Sequence, residues 1–331
     1  MAAVSDLDLT TSLGDGIVQI RLPMAGNPMR YINAYLVEEE SGYTLIDCGW
    51  KADDVLAALH AGLASAGATL AGVKRLFVTH FHFDHYGLAG TLRRAGVAEL
   101  GMHVLDWQFV SLILSDPVQM DNAADEFIAR NGLRVDALLE DEIDHHRRSE
   151  VCEPTRLLED GERSGRLRAV WTPGHSPGHL CFVDERSGKM FTGDHVLDPV
   201  TPHVGIWHES RGDALGEYNA SLRKVAAIGA TGVLPAHGEP FPDLGRRVDE
   251  LLAHHEVRDG HVLAALRAGA RSAGDVARAL PWTRRNKPFA ELEEAHQQFA
   301  VAETIAHLEN LRTRGLVTRD DATDPIAYAL S

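Results

Sequence analysis

Four side chains able to bind metal ions fall within six residues of this chain, in the run His80-x-His82-x-Asp84-His85. They follow directly on an apolar stretch, 73–78, that reads as a buried strand. Residues two apart in extended backbone point to the same side, so His80 and His82 can close on one ion. Asp84 and His85 turn into the following helix and can face a second. Four such side chains in six residues make a poor core. The cluster therefore demands a fold that carries strand ends to a shared polar centre.

Three more candidates sit just past apolar strands. Trp171-Thr172-Pro173-Gly174 leads to His175, Met190-Phe191-Thr192-Gly193 to Asp194, and Val233-Leu234-Pro235-Ala236 to His237. Strand ends converge on one rim of an α/β sheet, where sites usually form, and Gly174, Gly193 and Gly238 supply tight turns beside the candidates. A zinc ion takes about four ligands and leaves one position open when it is catalytic. His80, His82 and His175 suffice for one ion and Asp84, His85 and His237 for another. Asp194 can bridge the two through its two oxygens, with a hydroxide in the remaining shared position. Imidazole and carboxylate without thiolate suit Zn²⁺, and also Fe or Mn. Two such ions make water nucleophilic near neutral pH and polarise the group under attack. Asp84 and Asp194 are then the candidate catalytic carboxylates, and no serine or cysteine nucleophile is required. Ser176, beside His175, lacks the strand-to-helix elbow of a nucleophile.

The rest of the chain alternates short strands and helices. Strands are predicted over 16–22, 31–38, 43–47, 73–78, 167–171, 180–184, 189–191 and 232–234, and helices over 53–63, 88–95 and 213–228. Asp53 is the expected N-cap of the first helix. This is an α/β pattern with helices packed outside sheets. Between 106 and 162 the strand pattern gives way to helical candidates at 106–114, 121–129 and 135–145, a helical insertion. The final seventy residues differ again, with helices expected over 257–268, 274–280 and 289–313 and a short strand at 315–318. The expected domains are 1–256 and 257–331.

Charge follows the same divisions. The 331 residues carry a formal net charge of −16. Residues 260–331 hold nine basic and nine acidic residues, whereas 106–162 holds fifteen acidic and five basic ones. An acidic balance argues against a broad nucleic-acid face, and Arg284-Arg285-Asn286-Lys287 is the one basic run. No stretch of about 18 apolar residues could span a bilayer, and the first ten residues show no export signal. Cys48, Cys152 and Cys181 give no disulfide framework, so a reducing cytoplasm is the expected location and no membrane partner is expected.

The motifs resemble the metallo-β-lactamase superfamily. The resemblance covers most of 15–245 and rests on Leu45-Ile46-Asp47-Cys48-Gly49, the cluster from Thr79 to His85, the run Thr172-Pro173-Gly174-His175-Ser176-Pro177-Gly178-His179, Gly193-Asp194 and Ala236-His237-Gly238. It implies a four-layer αββα fold and the same ligand roles. It also implies that Asp47 orients ligand histidines from behind and that His179 is structural. The tail, with Thr304-Ile305-Ala306-His307-Leu308-Glu309-Asn310-Leu311 before Gly315-Leu316-Val317, resembles the winged-helix-like domain of β-lactamase-like-2 proteins. The family's exported β-lactamases usually carry a cysteine where Asp194 stands, so antibiotic hydrolysis is not expected.

Three functions remain. Hydrolysis of an acyl bond (thioester, ester or lactone) in a small-molecule substrate, as in the glyoxalase II-like branch, leads. Phosphodiester or RNA cleavage is the alternative, against which stand the neutral tail and the absence of a basic, aromatic-laced stripe. The third is a nucleic-acid- or partner-binding winged-helix protein with a non-catalytic metal domain. His195, His203 and Trp207, close after Asp194, are candidate substrate contacts at the pocket mouth, and Trp107 and Phe109 are candidate lid residues. The stripe Phe299, Ile305, Leu308 and Leu311 on the last helix is expected to be core, with a homodimer left open.

Overall fold

The computed structural model describes residues 9–115, 117–134, 152–206, 212–283 and 285–331. The expected helix over 135–145, Trp207 and Arg284 lie outside the described residues. The chain divides into two compact units. The first takes Met1–Ser111, Ile143–Pro202 and Lys224–Arg247, and the second Leu112–Glu142, His203–Arg223 and Val248–Ser331.

The first unit is built on two sheets. Seven strands lie side by side in chain order: β1 (Thr10–Ser12), β2 (Ile17–Pro23), β3 (Tyr31–Glu39), β4 (Gly42–Ile46), β5 (Val73–Phe77), β6 (Glu99–His103) and β7 (Arg156–Leu158). The first four pair antiparallel, joined by short turns. From β4 to β7 the pairing is parallel, which requires crossover connections. These run through helices α1 (Asp53–Ser65), α2 (Phe83–Tyr86), α3 (Ala89–Arg94), α4 (Val104–Ser115) and α5 (Pro117–Arg130). The second sheet contains β8 (Arg163–Ser164), β9 (Leu167–Trp171), β10 (Leu180–Asp184), β11 (Lys189–Gly193) and β12 (Gly232–Pro235), the last beyond α6 (Ala214–Ile228). Only β11 and β12 are parallel there.

Period-two alternation sorts the side chains into two cores. From β3, Ile32, Ala34 and Leu36 join Val55, Leu59 and Leu63 of α1 and Leu92 of α3, so helices cover the outer face of the larger sheet. Tyr35 and Val37 of the same strand face the other way, with Ile46 and Phe77, onto Ala169, Phe182, Phe191 and Leu234 of the smaller sheet. Phe77 and Phe182 stack across that interface with ring centroids 5.6 Å apart. This mixed α/β architecture is the one expected.

In the second unit, α5, α7 (Leu244–Arg267), α8 (Ala273–Ala279) and α9 (Glu294–Thr313) accompany the hairpin β13 (Val317–Asp320) and β14 (Ala327–Leu330). A capping box starts α8: Ser272 accepts the Asp275 N–H, and the Asp275 carboxylate accepts the Ser272 N–H. Gly274 lies against the turn after α5, where a Cβ would come within 2.2 Å of the Gly132 carbonyl oxygen. Ile305, Leu308 and Leu311 are buried as expected, but Phe299 is 44% exposed.

Several elements differ from the sequence reading. Asp53 is the first residue of α1, whose cap is Ala52 with no side-chain bond, so Asp53 and Asp54 act instead as acidic residues in the first turn. The stretch 106–162 is not wholly helical, since Arg156–Leu158 forms the edge strand β7 on β6. The boundary at 256/257 falls inside α7, a continuous 24-residue helix. The second unit also gathers segments from far upstream of the tail.

Candidate metal centre

All seven candidate ligands belong to the first unit and follow strand ends. Asp47 comes directly after β4, His80, His82, Asp84 and His85 after β5, His175 after β9, Asp194 after β11 and His237 after β12. Because β4 and β5 run parallel, as do β11 and β12, each pair delivers its C-terminal ends to one rim. Gly193 makes the approach of Asp194 feasible. Its φ is +50°, and a Cβ there would lie 2.7 Å from His179 Nε2 and 2.8 Å from Thr79 Cβ.

The donor atoms gather in three overlapping groups: His80, His82 and His175; Asp84, His85 and His237; and His80, His85 and Asp194. In the first, His80 Nε2 lies 2.9 Å from His82 Nδ1, and His175 Nε2 lies 3.2 Å from both. Donors about 2.0–2.1 Å from a tetrahedral zinc would be separated by about 3.3 Å, so this triangle is close to the size one ion requires. Asp194 sits between the sets. Its Oδ2 is 3.6 Å from His85 Nε2 and 3.7 Å from His175 Nε2, and its Oδ1 is 3.6 Å from His237 Nε2. Asp84 Oδ2 is 3.3 Å from His237 Nε2 and 3.6 Å from His85 Nε2.

Partners behind the rings fix which nitrogen faces inward. The Thr79 N–H and Oγ–H both donate to Asp47, at 2.8 and 2.9 Å. The Thr79 hydroxyl proton is thereby committed, so His80 Nδ1–H donates to Thr79 Oγ1 (3.0 Å) and leaves Nε2 as a lone pair. His85 Nδ1 bonds Asp47 Oδ2 at 2.8 Å, and His237 Nδ1 faces the Tyr31 carbonyl at 3.3 Å. A carboxylate or carbonyl behind the outer nitrogen is the usual support of a metal-binding imidazole. His85 Nε2 and Asp194 Oδ1 are buried and form no hydrogen bond. Buried polar atoms without partners are costly, and a cation between them satisfies both. The donor set fits a divalent ion.

Charge is divided unequally across the site. Burial, reinforced by neighbouring imidazoles, holds His80 well below its ordinary range and His82 at about 3, so these two rings are neutral. Burial also works against the charged forms of the second set, but there the mutual attractions win. Asp84 is held down at about 2 by His85 and His237, and Asp194 is held low by His237 and His85. The same carboxylates raise His85 and His237. The cysteines stay out of this chemistry. The Cys48 thiol donates to the His85 carbonyl, and burial pushes Cys181 up to about 12.

The other sequence candidates fall in different places. His179 is enclosed, its Nε2 accepting the Asp194 N–H (3.2 Å) and its Nδ1 donating to Thr172 Oγ1 (2.8 Å). It holds Asp194 by the backbone. His195 is fully buried beside it, with ring centroids 5.8 Å apart, which places His195 behind the cluster rather than at a pocket mouth. His203 belongs to the second unit, where its Nε2 faces the Phe299 carbonyl at 3.1 Å. Trp107 is half-buried against the helix-side core, and Phe109 packs on Phe81 at 4.6 Å. Sequence reasoning missed Thr79 as the relay between Asp47 and His80, and Asp106, whose fully buried carboxylate bonds two of the ligand-bearing segments.

Comparison with known proteins extends these observations. The model of the metallo-beta-lactamase superfamily matches residues 28–237. The crystal structure of a metallo-beta-lactamase family protein from Thermus thermophilus superposes with a TM-score of 0.80 at 30% identity, covering 97% of this chain and 100% of that one. The lactamase-like protein vrtG of Penicillium aethiopicum is 28% identical over 273 residues, which is 80% of this chain and 70% of the relative. An atrochrysone carboxyl ACP thioesterase from Aspergillus aculeatus is 40% identical over 113 residues, about a third of each chain (33% and 34%).

Proposed function

The chain belongs to the metallo-beta-lactamase superfamily, a family of hydrolases, and from that premise we propose that it is a dinuclear, zinc-dependent hydrolase of acyl bonds in small molecules. The observation that carries the dinuclear reading is the position of Asp194, whose two oxygens lie between the His80–His82–His175 trio and the Asp84–His85–His237 trio. Divalent ions held there supply the Lewis acidity that makes water nucleophilic near neutral pH and polarises an acyl carbonyl.

The protein's own groups prepare that chemistry. Neutral His80 and His82 present lone pairs without first losing a proton. Asp84 and Asp194 stay ionised despite burial, which keeps negative charge available to balance cations. Asp47 and Thr79 keep the His80 and His85 rings aimed. The absence of an ionised thiol among these donors favours zinc, with iron or manganese as competitors, over softer-ligand metals. The thioesterase likeness supports acyl transfer to water and a thioester as the first substrate to try.

The test is kcat/KM on a matched panel of thioester, lactone and phosphodiester, with metal content measured on the same preparation. We expect the acyl substrates to be preferred by at least about tenfold, equivalent to 1.4 kcal/mol of transition-state stabilisation. Preference for the phosphodiester would overturn the acyl reading. A preparation that binds a single equivalent at saturating metal would overturn the dinuclear one.

A further inference from the structure

Asp106 lies in the first turn of α4, and its carboxylate is fully buried. Three donors converge on it. Oδ2 accepts the Phe81 N–H (3.0 Å) and the Ser176 hydroxyl (2.7 Å), and Oδ1 accepts the Gly178 N–H (2.5 Å). Phe81 lies between His80 and His82 in the chain, and Ser176 directly follows His175. One carboxylate is thus bonded to both segments that supply the three-imidazole trio. Its approach to Gly178 is close enough that a Cβ there would fall 2.6 Å from the Asp106 nitrogen and 2.7 Å from Oδ1.

The trio is sensitive to such a brace. His80 and His82 share one backbone turn, but His175 comes from another, and both of its short contacts, 3.2 Å each, cross between the segments. A slip of a few tenths of an ångström between the turns changes those contacts and leaves the backbone spacing of His80 and His82 alone. Asp47 reaches the trio at His80 alone, through Thr79, and otherwise holds His85, so it does not tie the two segments together.

We propose that Asp106 is a positioning residue that sets how tightly His80, His82 and His175 hold their ion. The inference rests on reading that trio as a metal site. A purely structural role would lower the stability of the metal-free chain and weaken both ions alike. The positioning role loosens one ion selectively.

The experiment compares the full chain with Asp106→Asn and Ser176→Ala by chelator competition, metal-free thermal unfolding and Co²⁺ substitution. The visible Co²⁺ spectrum distinguishes an ion held by three imidazoles from one held by two imidazoles and Asp84. We expect Asp106→Asn to loosen the three-imidazole ion by about 10–100-fold and leave the other within about threefold. Ser176→Ala removes one of the three donors and should act on the same ion by a smaller factor, with the metal-free melting temperature unchanged. Unchanged affinities in both variants, or equal loosening of both ions in step with lost metal-free stability, would overturn the proposal. If the parent binds a single ion, the dinuclear reading fails by itself. The positioning role then stands if Asp106→Asn loosens that ion tenfold or more, and falls if it does not.

Discussion

Asp194 carries more of the site than any other single residue. Its carboxylate faces His85, His175 and His237, and its backbone N–H is fixed by His179. Asp194→Asn preserves shape and removes charge from a place where three histidines depend on it. It should reduce bound metal and lower activity by more than about 100-fold, read by elemental analysis and kcat/KM on one sample. A variant with parental metal content and turnover would show that Asp194 is a bystander. Much of the candidate site was legible in the chain, because His80, His82, Asp84 and His85 fall within six residues and each remaining candidate follows an apolar strand. Asp106 was not legible. A lone aspartate at the head of a helix has the same appearance whether it meets solvent or three buried donors. His195 was misread for a related reason. Proximity in sequence to Asp194 does not say on which side of the strand end a side chain turns, and His195 turns inward.

At the scale of elements, the turn after β11 shows what the fold must tolerate to deliver a ligand. Gly193 combines a left-handed backbone with walls formed by His179 and Thr79. Gly193→Ala should cost about 2–4 kcal/mol, since strain and collision add. Gly161→Ala is the control: φ there is +78° and nothing lies within 4 Å of a Cβ, leaving only the conformational cost of about 1–2 kcal/mol. Thermal unfolding of both metal-free variants checks this, and equal losses would refute the packing argument. Strands of mainly apolar residues, such as Leu167–Trp171 and Leu180–Asp184, were readable to the residue. Glu99–His103 was not, because Gly101 interrupts it. The reason for that glycine lies across the sheet, where a Cβ would come within 2.8 Å of Phe77. The first half of α7 was also missed, although Asp243 accepts the Arg246 N–H at its start, a cap signal that was available in the sequence.

For the molecule as a whole, the second unit sets a limit on acid tolerance. His255 is buried on α7, its ring 5.5 Å from Tyr218 and 5.4 Å from both His254 and His307. Its ring nitrogens make no hydrogen bond. Burial, with His307, His254 and Arg258 adding repulsion, holds it neutral well below its ordinary range. Below pH about 6.5 the unfolded chain takes up a proton that the folded one refuses, so stability falls as pH drops, by up to about 1.4 kcal/mol per unit. His255→Leu should therefore flatten the decline of melting temperature between pH 6.5 and 5, and parallel curves for variant and parent would disprove it. No described helix is long and apolar enough to cross a membrane. The second unit is drawn from three separated stretches of chain, Leu112–Glu142, His203–Arg223 and Val248–Ser331. A gene that encodes it cannot donate that unit through one crossover, nor lose it by one stop codon. Exchange of that unit between genes therefore brings along stretches of the unit that holds the candidate metal centre.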